Sequence, residues 1–183
     1  MQHSKYFIPT IAFLFSSCIS FYGITNDYDW LTNEQKEKVL KLESFDGLDS
    51  KNIYEINGTQ LKNEMKNHPK SLVYTFANGC GSKMCKPLFV YENYAKENGY
   101  KIFLLMHGYA NLKATTSQKF ENPLFAIDFD YYGSEKRSEC DLYFENDLKG
   151  LPRTQKNKGK YEGSIYFFEG DSLVKIMREL PTN

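Results

Sequence analysis

Two runs of apolar residues stand out along this chain and predict buried strands. They are 71–77 (SLVYTFA) and 100–106 (YKIFLLM), both short and rich in aromatic and aliphatic residues. Between them, apolar positions 88, 91 and 95 recur at helical spacing until Gly99, a residue typical of helix ends. A strand, a helix and a strand within about 35 residues predict a βαβ unit, whose right-handed crossover makes the two strands parallel.

Weaker patterns on both sides of this unit predict the remaining elements. They are a short helix in 31–42 capped by Thr32 or Asn33, a brief strand at 53–56, a helix carrying Leu61 and Met65 that ends before Pro69, a strand or its approach at 123–132, and a short amphipathic helix at 138–148. The basic, Gly-containing segment 151–163 predicts an exposed loop. Alternation on both sides of Glu169-Gly170-Asp171 predicts a β-hairpin over 163–177.

Length and charge narrow the classes of protein to consider. A chain of 183 residues, 41% of them hydrophobic, suits one globular domain and an additional N-terminal segment. The 23 basic and 23 acidic residues cancel, which argues against nucleic acid as a partner. No Ser-His-Asp arrangement, phosphate-binding loop or zinc-protease helix occurs, and the sequence indicates no cofactor.

Residues 1–18 have the layout of a secretory signal peptide. Lys5 precedes an apolar stretch of about ten residues, too short to span a bilayer as a helix, and Ser16 and Ser17 precede Cys18. This small-small-Cys ending resembles the lipobox of bacterial lipoproteins, although Phe15 stands where that family usually has Leu. The alternative is an ordinary signal peptide followed by a chance cysteine.

The lipobox resemblance implies a particular location and domain organisation. Cys18 becomes the lipidated N-terminus of the mature protein, residues 19–50 form a tether and a short helix, and 51–180 form the folded domain. We therefore expect an exported protein, attached to a bacterial membrane through its lipid, with its domain facing the periplasm.

Cys80 and Cys85 are the strongest candidates for chemistry. On a single helix they would project about 140° apart and lie about 8 Å apart along its axis, beyond the reach of a disulfide. A bridge therefore requires Cys80 in the loop after the first buried strand and Cys85 in or near the first helical turn. Closely spaced cysteines in an exported protein are usually paired.

The segment 73–88 (VYTFANGCGSKMCKPL) resembles the active-site region of the thioredoxin family: a buried strand, a Cys-Gly turn, a second cysteine followed by Lys, then a helix. The resemblance implies an α/β, thioredoxin-like fold with a central mixed sheet flanked by helices. It also implies thiol-disulfide exchange with protein thiols or disulfides of the cell envelope. In that chemistry a Cys80 thiolate attacks the partner and Cys85 resolves the mixed disulfide, since a helix N-terminus favours a thiolate.

Two departures from the family pattern keep other functions open. Four residues separate Cys80 from Cys85 where thioredoxins have two, and Gly163-Ser164 stands where the family has a cis-proline. A non-catalytic binding lipoprotein, in which the bridge only staples a loop, is the alternative. A weaker one is a Cu(I) or zinc site formed by Cys80, Cys85 and His107, which resembles thioredoxin-like copper chaperones.

Three further residues are candidates of lower interest. Cys140 is an odd thiol once Cys18 carries lipid, and a buried small apolar residue is the interpretation that we adopt, with partner exchange as the alternative. Asp128 and Asp130 would share one face of a strand, and we expect them to be solvated at a strand end rather than to form an acid-base pair.

Overall fold

A computed structural model describes residues 23–82, 84–156 and 161–181. The proposed signal peptide and Cys18 lie outside these residues. Within them, a 3-10 helix at Tyr28–Trp30 precedes the other elements. The helices are α1 (Asn33–Lys36), α2 (Gly58–Met65), α3 (Leu88–Glu97), α4 (Leu112–Thr116), α5 (Phe129–Tyr132) and α6 (Arg137–Lys149). The strands are β1 (Val39–Lys41), β2 (Ile53–Ile56), β3 (Lys70–Phe76), β4 (Lys101–Met106), β5 (Leu124–Ile127), β6 (Ile165–Glu169) and β7 (Ser172–Met177).

The strands form one mixed sheet of seven strands in the order β1-β2-β5-β4-β3-β6-β7. The first five in this order are parallel, and β6 and β7 are antiparallel to their neighbours. The protein is therefore α/β, with helices covering both faces of a mixed sheet. None of the helices in the described segments has the length and apolar character needed to cross a bilayer.

The predicted βαβ unit and hairpin are confirmed. β3 and β4 pair in parallel from Ser71 with Lys101 to Phe76 with Met106, and α3 connects them. β6 and β7 pair around a two-residue turn in which Gly170 has a φ of 56°. Such a left-handed conformation is typical of tight hairpin turns and favours glycine.

Alternate residues of the strands supply two separate cores. On the first face, Leu72, Tyr74 and Phe76 of β3 pack with the apolar side of α3 and with Leu112 of α4. On the second face, Val73 packs in a core with residues of α2, α5 and α6. Side chains on opposite faces of the sheet therefore pack against different helices.

The N-terminal part of the described chain differs from the expected helix in 31–42. A capping box between Thr32 and Gln35 begins α1, which spans only Asn33–Lys36. Residues 39–41 form β1 instead, which pairs with β2 at one edge of the sheet. Pairing with a neighbouring strand outweighs the weak helical pattern here because a helix this short has little stability of its own.

Candidate functional site

The five parallel strands direct their carboxyl ends to one edge of the sheet, where ligand sites of α/β proteins are commonly built. The loop that carries Cys80 and Cys85 leaves β3 at this edge. Its direction reverses at Gly79, whose φ of 68° favours glycine. A Cβ atom at Gly79 would lie 3.3 Å from the Cβ of Asn111, so the turn also packs closely against the start of α4.

Cys80 and Cys85 are joined by a disulfide in this loop, with their sulfurs 2.00 Å apart and their Cα atoms 6.1 Å apart. Cys80 is exposed and Cys85 is half-buried. Ser82 closes the turn between them, because its carbonyl accepts a hydrogen bond from the Cys85 N–H at 3.0 Å. An incoming thiolate therefore meets the sulfur of Cys80 more readily than that of Cys85.

The start of α3 differs from the expectation that Cys85 lies in or near the first helical turn. The helix begins at Leu88 with Pro87 as its N-cap, so Cys85 precedes the first helical residue by three positions. The Leu88 N–H is not free, because it donates to Oε1 of Gln118 at 3.0 Å. The first helical amide consequently faces a protein oxygen rather than a cysteine sulfur.

A cleft of about 310 Å³ opens beside the disulfide. Both cysteines line it together with residues of β3, of the segment before α3 and of α4: Tyr74, Phe76, Ala77, Gly79, Lys86, Pro87, Leu88, Ala114, Thr115 and Gln118. The lining is about equally polar and apolar, and among the described residues it includes one cation, Lys86, and no carboxylate. This cleft provides the bridge with a bounded surface on which another molecule can lie.

The buried side chain of Asn78 holds the cysteine loop to the neighbouring segment. Its Nδ2 donates to the carbonyl of Gly108 at 2.8 Å, and its Oδ1 accepts from the Thr115 hydroxyl at 2.5 Å. No pattern in the sequence points to Thr115 or Gln118, because residues 107–122 show neither helical nor strand periodicity. These contacts join residues 30 or more positions apart, which local spacing does not reveal.

His107 lies on the other face of the sheet and does not meet the disulfide. Its Nδ1 is 2.8 Å from Oδ1 of Asp141, and it lines a separate cavity of about 90 Å³. The structure therefore does not assemble the alternative metal site, since the two sulfurs are bonded to each other and His107 pairs elsewhere. Among the described residues, no group of three or more His, Cys, Asp or Glu side chains is arranged to hold a metal ion.

Gly163 and Ser164, at the expected position of the family's cis-proline, lie where β6 meets β3. The Ser164 carbonyl accepts from the Thr75 N–H at 2.9 Å, and no peptide bond in the described segments is cis. A Cβ atom at Gly163 would lie 2.1 Å from the carbonyl oxygen of Met177, so the close passage of β7 requires glycine there. Gly163 lines the cavity of His107 rather than the cleft beside the disulfide.

Cys140 is a free thiol, fully buried in the second core. Its Sγ donates to the carbonyl of Ser134 at 3.2 Å, and burial raises the pKa of the Cys140 thiol to about 11. A thiol that is both buried and protonated is a poor nucleophile. This environment matches that of a small apolar core residue.

Asp128 and Asp130 do not share a strand, because β5 ends at Ile127 and Asp128 caps α5. Both carboxylates instead contact the ammonium group of Lys41, at 2.7 and 3.0 Å. Glu55 completes the group at 3.0 Å from the same Nζ. Local sequence patterns do not reveal this cluster, because Lys41 lies more than 80 residues before the two aspartates.

Comparison with known proteins yields no relative: no protein-family model, no curated protein sequence and no solved structure matches this chain.

Proposed function

We propose that this protein is a thioredoxin-like lipoprotein of the bacterial cell envelope that exchanges its Cys80–Cys85 disulfide with protein thiols or disulfides. One observation carries the proposal. A disulfide with one exposed cysteine, Cys80, lies in the loop that follows β3 at the carboxyl edge of the parallel strands. Both of its cysteines line a cleft of about 310 Å³. The envelope location and the lipid on Cys18 rest on the sequence of residues 1–18 alone.

The exposure of the two residues supports Cys80 as the point of attack, because Cys80 is exposed and Cys85 is half-buried. A partner thiolate attacks Sγ of Cys80, a new sulfur–sulfur bond forms, and Cys85 leaves as a thiolate. A second partner thiolate then displaces Cys80, so that two electrons reach the protein and the partner becomes a disulfide. In the reverse direction, the Cys80 thiolate attacks a partner disulfide and Cys85 releases the product.

A binding lipoprotein with a structural bridge is the second candidate, and the start of α3 favours it. The first helical N–H, that of Leu88, donates a hydrogen bond to Gln118, and Cys85 lies outside the helix. The helix N-terminus therefore offers little stabilisation to a thiolate. In this alternative the disulfide only closes the turn at Ser82, and the cleft binds a partner without any exchange of electrons.

Trapping of mixed disulfides separates the two candidates. The Cys85→Ala variant lacks the resolving thiol and should accumulate reducible adducts with envelope proteins on non-reducing gels, whereas Cys80→Ala should accumulate few. Cys140→Ala is the matched control and should behave as the wild type, because Cys140 is buried. Equal trapping by Cys80→Ala and Cys85→Ala would contradict the assigned roles.

A reduction potential completes the test. Structural disulfides typically lie below about −300 mV, so a value clearly above this supports exchange. A potential below it, with no adducts from either cysteine variant, would establish the structural bridge instead. The lipid anchor is tested by fractionation, in which Cys18→Ser should leave the membrane fraction or remain unprocessed.

A further inference from the structure

The charges near the disulfide are distributed unevenly. The whole chain has 23 basic and 23 acidic residues, yet segments 77–91 and 107–120 together contain four lysines and neither Asp nor Glu. These segments also supply most of the lining of the cleft. A strongly one-sided charge around a site in an otherwise neutral chain influences which molecules approach it.

Three of these lysines, Lys86, Lys113 and Lys119, form what we call the basic face. Lys86 lines the cleft directly after Cys85. Lys113 and Lys119 immediately precede and follow the segment 114–118, whose residues Ala114, Thr115 and Gln118 also line the cleft. All three lysines are exposed. Lys86 therefore lies at the opening beside the disulfide, and Lys113 and Lys119 are the chain neighbours of residues that line it.

The lysines of the basic face form no ion pair within the part of the chain that the structure describes. Within residues 23–82, 84–156 and 161–181, no carboxylate forms an ion pair with Lys86, Lys113 or Lys119. The nearest carboxylate along α3, Glu92, is buried and accepts hydrogen bonds from the backbone N–H groups of Glu121 and Asn122. The three positive charges consequently remain available to a partner.

We propose that the partner exchanging with the Cys80–Cys85 disulfide is a polypeptide with an acidic segment beside its reactive sulfur, and that this segment docks on the basic face. The inference rests on the proposed function and specifies its substrate class. Complementary charge accelerates the encounter and holds the partner sulfur near Cys80. The exchange itself is unchanged: the partner thiolate bonds to Cys80 and Cys85 leaves.

A polypeptide suits this surface better than an anionic membrane. Exchange requires a sulfur, which lipid headgroups lack and a cysteine supplies. The exposed side chains of Met84 and Phe89, each 42% accessible, add apolar contacts next to the bridge. A segment that combines acidic and apolar residues around a cysteine would complement both features.

Three synthetic peptides provide the probes, each with a single cysteine flanked by Glu, Ser or Lys. The rate at which each reduces the wild-type disulfide is measured and expressed per thiolate, because flanking charges also change the pKa of the peptide thiol. At an ionic strength of about 0.01 M we expect the acidic peptide to react about tenfold faster than the basic one. At about 1 M salt the two rates should converge.

Two charge-reversal variants locate the effect. The variant K86E/K113E/K119E should lose the preference for the acidic peptide and favour the basic one. The control K70E/K96E/K101E makes the same change in net charge with three exposed lysines, which lie at the first residues of β3 and β4 and in the last turn of α3, away from the carboxyl edge. It should keep the wild-type preference, which excludes an effect of net charge alone.

The possible results distinguish failure of this inference from failure of the proposed function. If none of the peptides, including the neutral one, reduces the bridge, the exchange function is wrong. If the neutral peptide reacts but the wild type shows no preference by charge, only the acidic partner is overturned. The wild type is also mixed with phosphatidylglycerol vesicles. If it binds them, if K86E/K113E/K119E does not, and if bound vesicles block the acidic peptide, the basic face is a membrane contact. That result would also overturn the acidic partner.

Discussion

Two regions lie along the same carboxyl edge of the sheet and differ in whether their charged side chains form ion pairs. At the end formed by β1, β2 and β5, Lys41 contacts Glu55, Asp128 and Asp130 within 3.0 Å. At the end formed by β3 and β4, no carboxylate of the described residues forms an ion pair with Lys86, Lys113 or Lys119. We refer to these as the paired end and the disulfide end.

At the paired end, the charged side chains form ion pairs with one another. Burial opposes the charge of Lys41, but hydrogen bonds from its ammonium group to Asp128, Asp130 and Glu55 outweigh this and raise the pKa of Lys41 above its ordinary value. Glu55 also accepts a hydrogen bond from the Tyr109 hydroxyl at 3.0 Å, and burial raises the pKa of Tyr109. A position at the carboxyl edge is therefore not sufficient for a ligand site. Where the charged side chains already pair with one another, as they do here, they mainly stabilise the fold.

The largest effect is expected from Glu55→Ala at the paired end. It removes the acceptor of the buried Tyr109 hydroxyl and one of the carboxylates around Lys41, so the free energy of unfolding should fall by about 3 kcal/mol. Urea denaturation measures this. Glu55→Gln is the control, because it keeps an oxygen for Tyr109 and should cost clearly less. A loss below about 1 kcal/mol for Glu55→Ala would show that the cluster is not structural.

A smaller effect is expected from the double variant C80S/C85S at the disulfide end. The bridge closes a loop of only six residues, for which loss of loop-closure entropy predicts about 2 kcal/mol of destabilisation. The comparison predicts that this loss is smaller than that of Glu55→Ala. Thermal or urea unfolding of both variants under non-reducing conditions checks the order, and the reverse order would make the bridge the principal support of this edge.

The smallest effect, a loss of about 1 kcal/mol, is expected from Lys41→Met. The Lys41 side chain is 49% exposed, so solvent screens its ion pairs, although the Glu55 and Asp128 carboxylates that lose their partner are only 13% and 14% exposed. The folded-state pKa of Lys41 is raised above the unfolded value of 10.5, so its contribution is fully present below that pH and declines as the pH rises further. The difference in unfolding free energy between wild type and Lys41→Met should therefore shrink above about pH 10.5. Lys51→Met, which removes an exposed lysine outside this cluster, controls for the loss of one positive charge.

The elements whose pattern is local could be predicted from the amino-acid sequence. The buried runs around Val73 and Leu104 identified β3 and β4, the apolar spacing of Leu88, Tyr91 and Ala95 identified α3, and the turn at Gly170 identified the hairpin. Periods of two and 3.6 residues follow from backbone geometry, so they are readable without knowledge of distant contacts. The local spacing also singled out Cys80 and Cys85 as one unit.

The contacts between residues far apart in the chain could not be predicted in this way and are known from the three-dimensional structure. It placed β5 between β2 and β4, brought Lys41 to Asp128, directed His107 to Asp141 away from the disulfide, and gave the first amide of α3 to Gln118. These pairs lie 30 to 87 positions apart in the chain. Their meeting depends on how whole strands and helices pack across two cores, and the spacing of residues within a single segment carries no record of that packing.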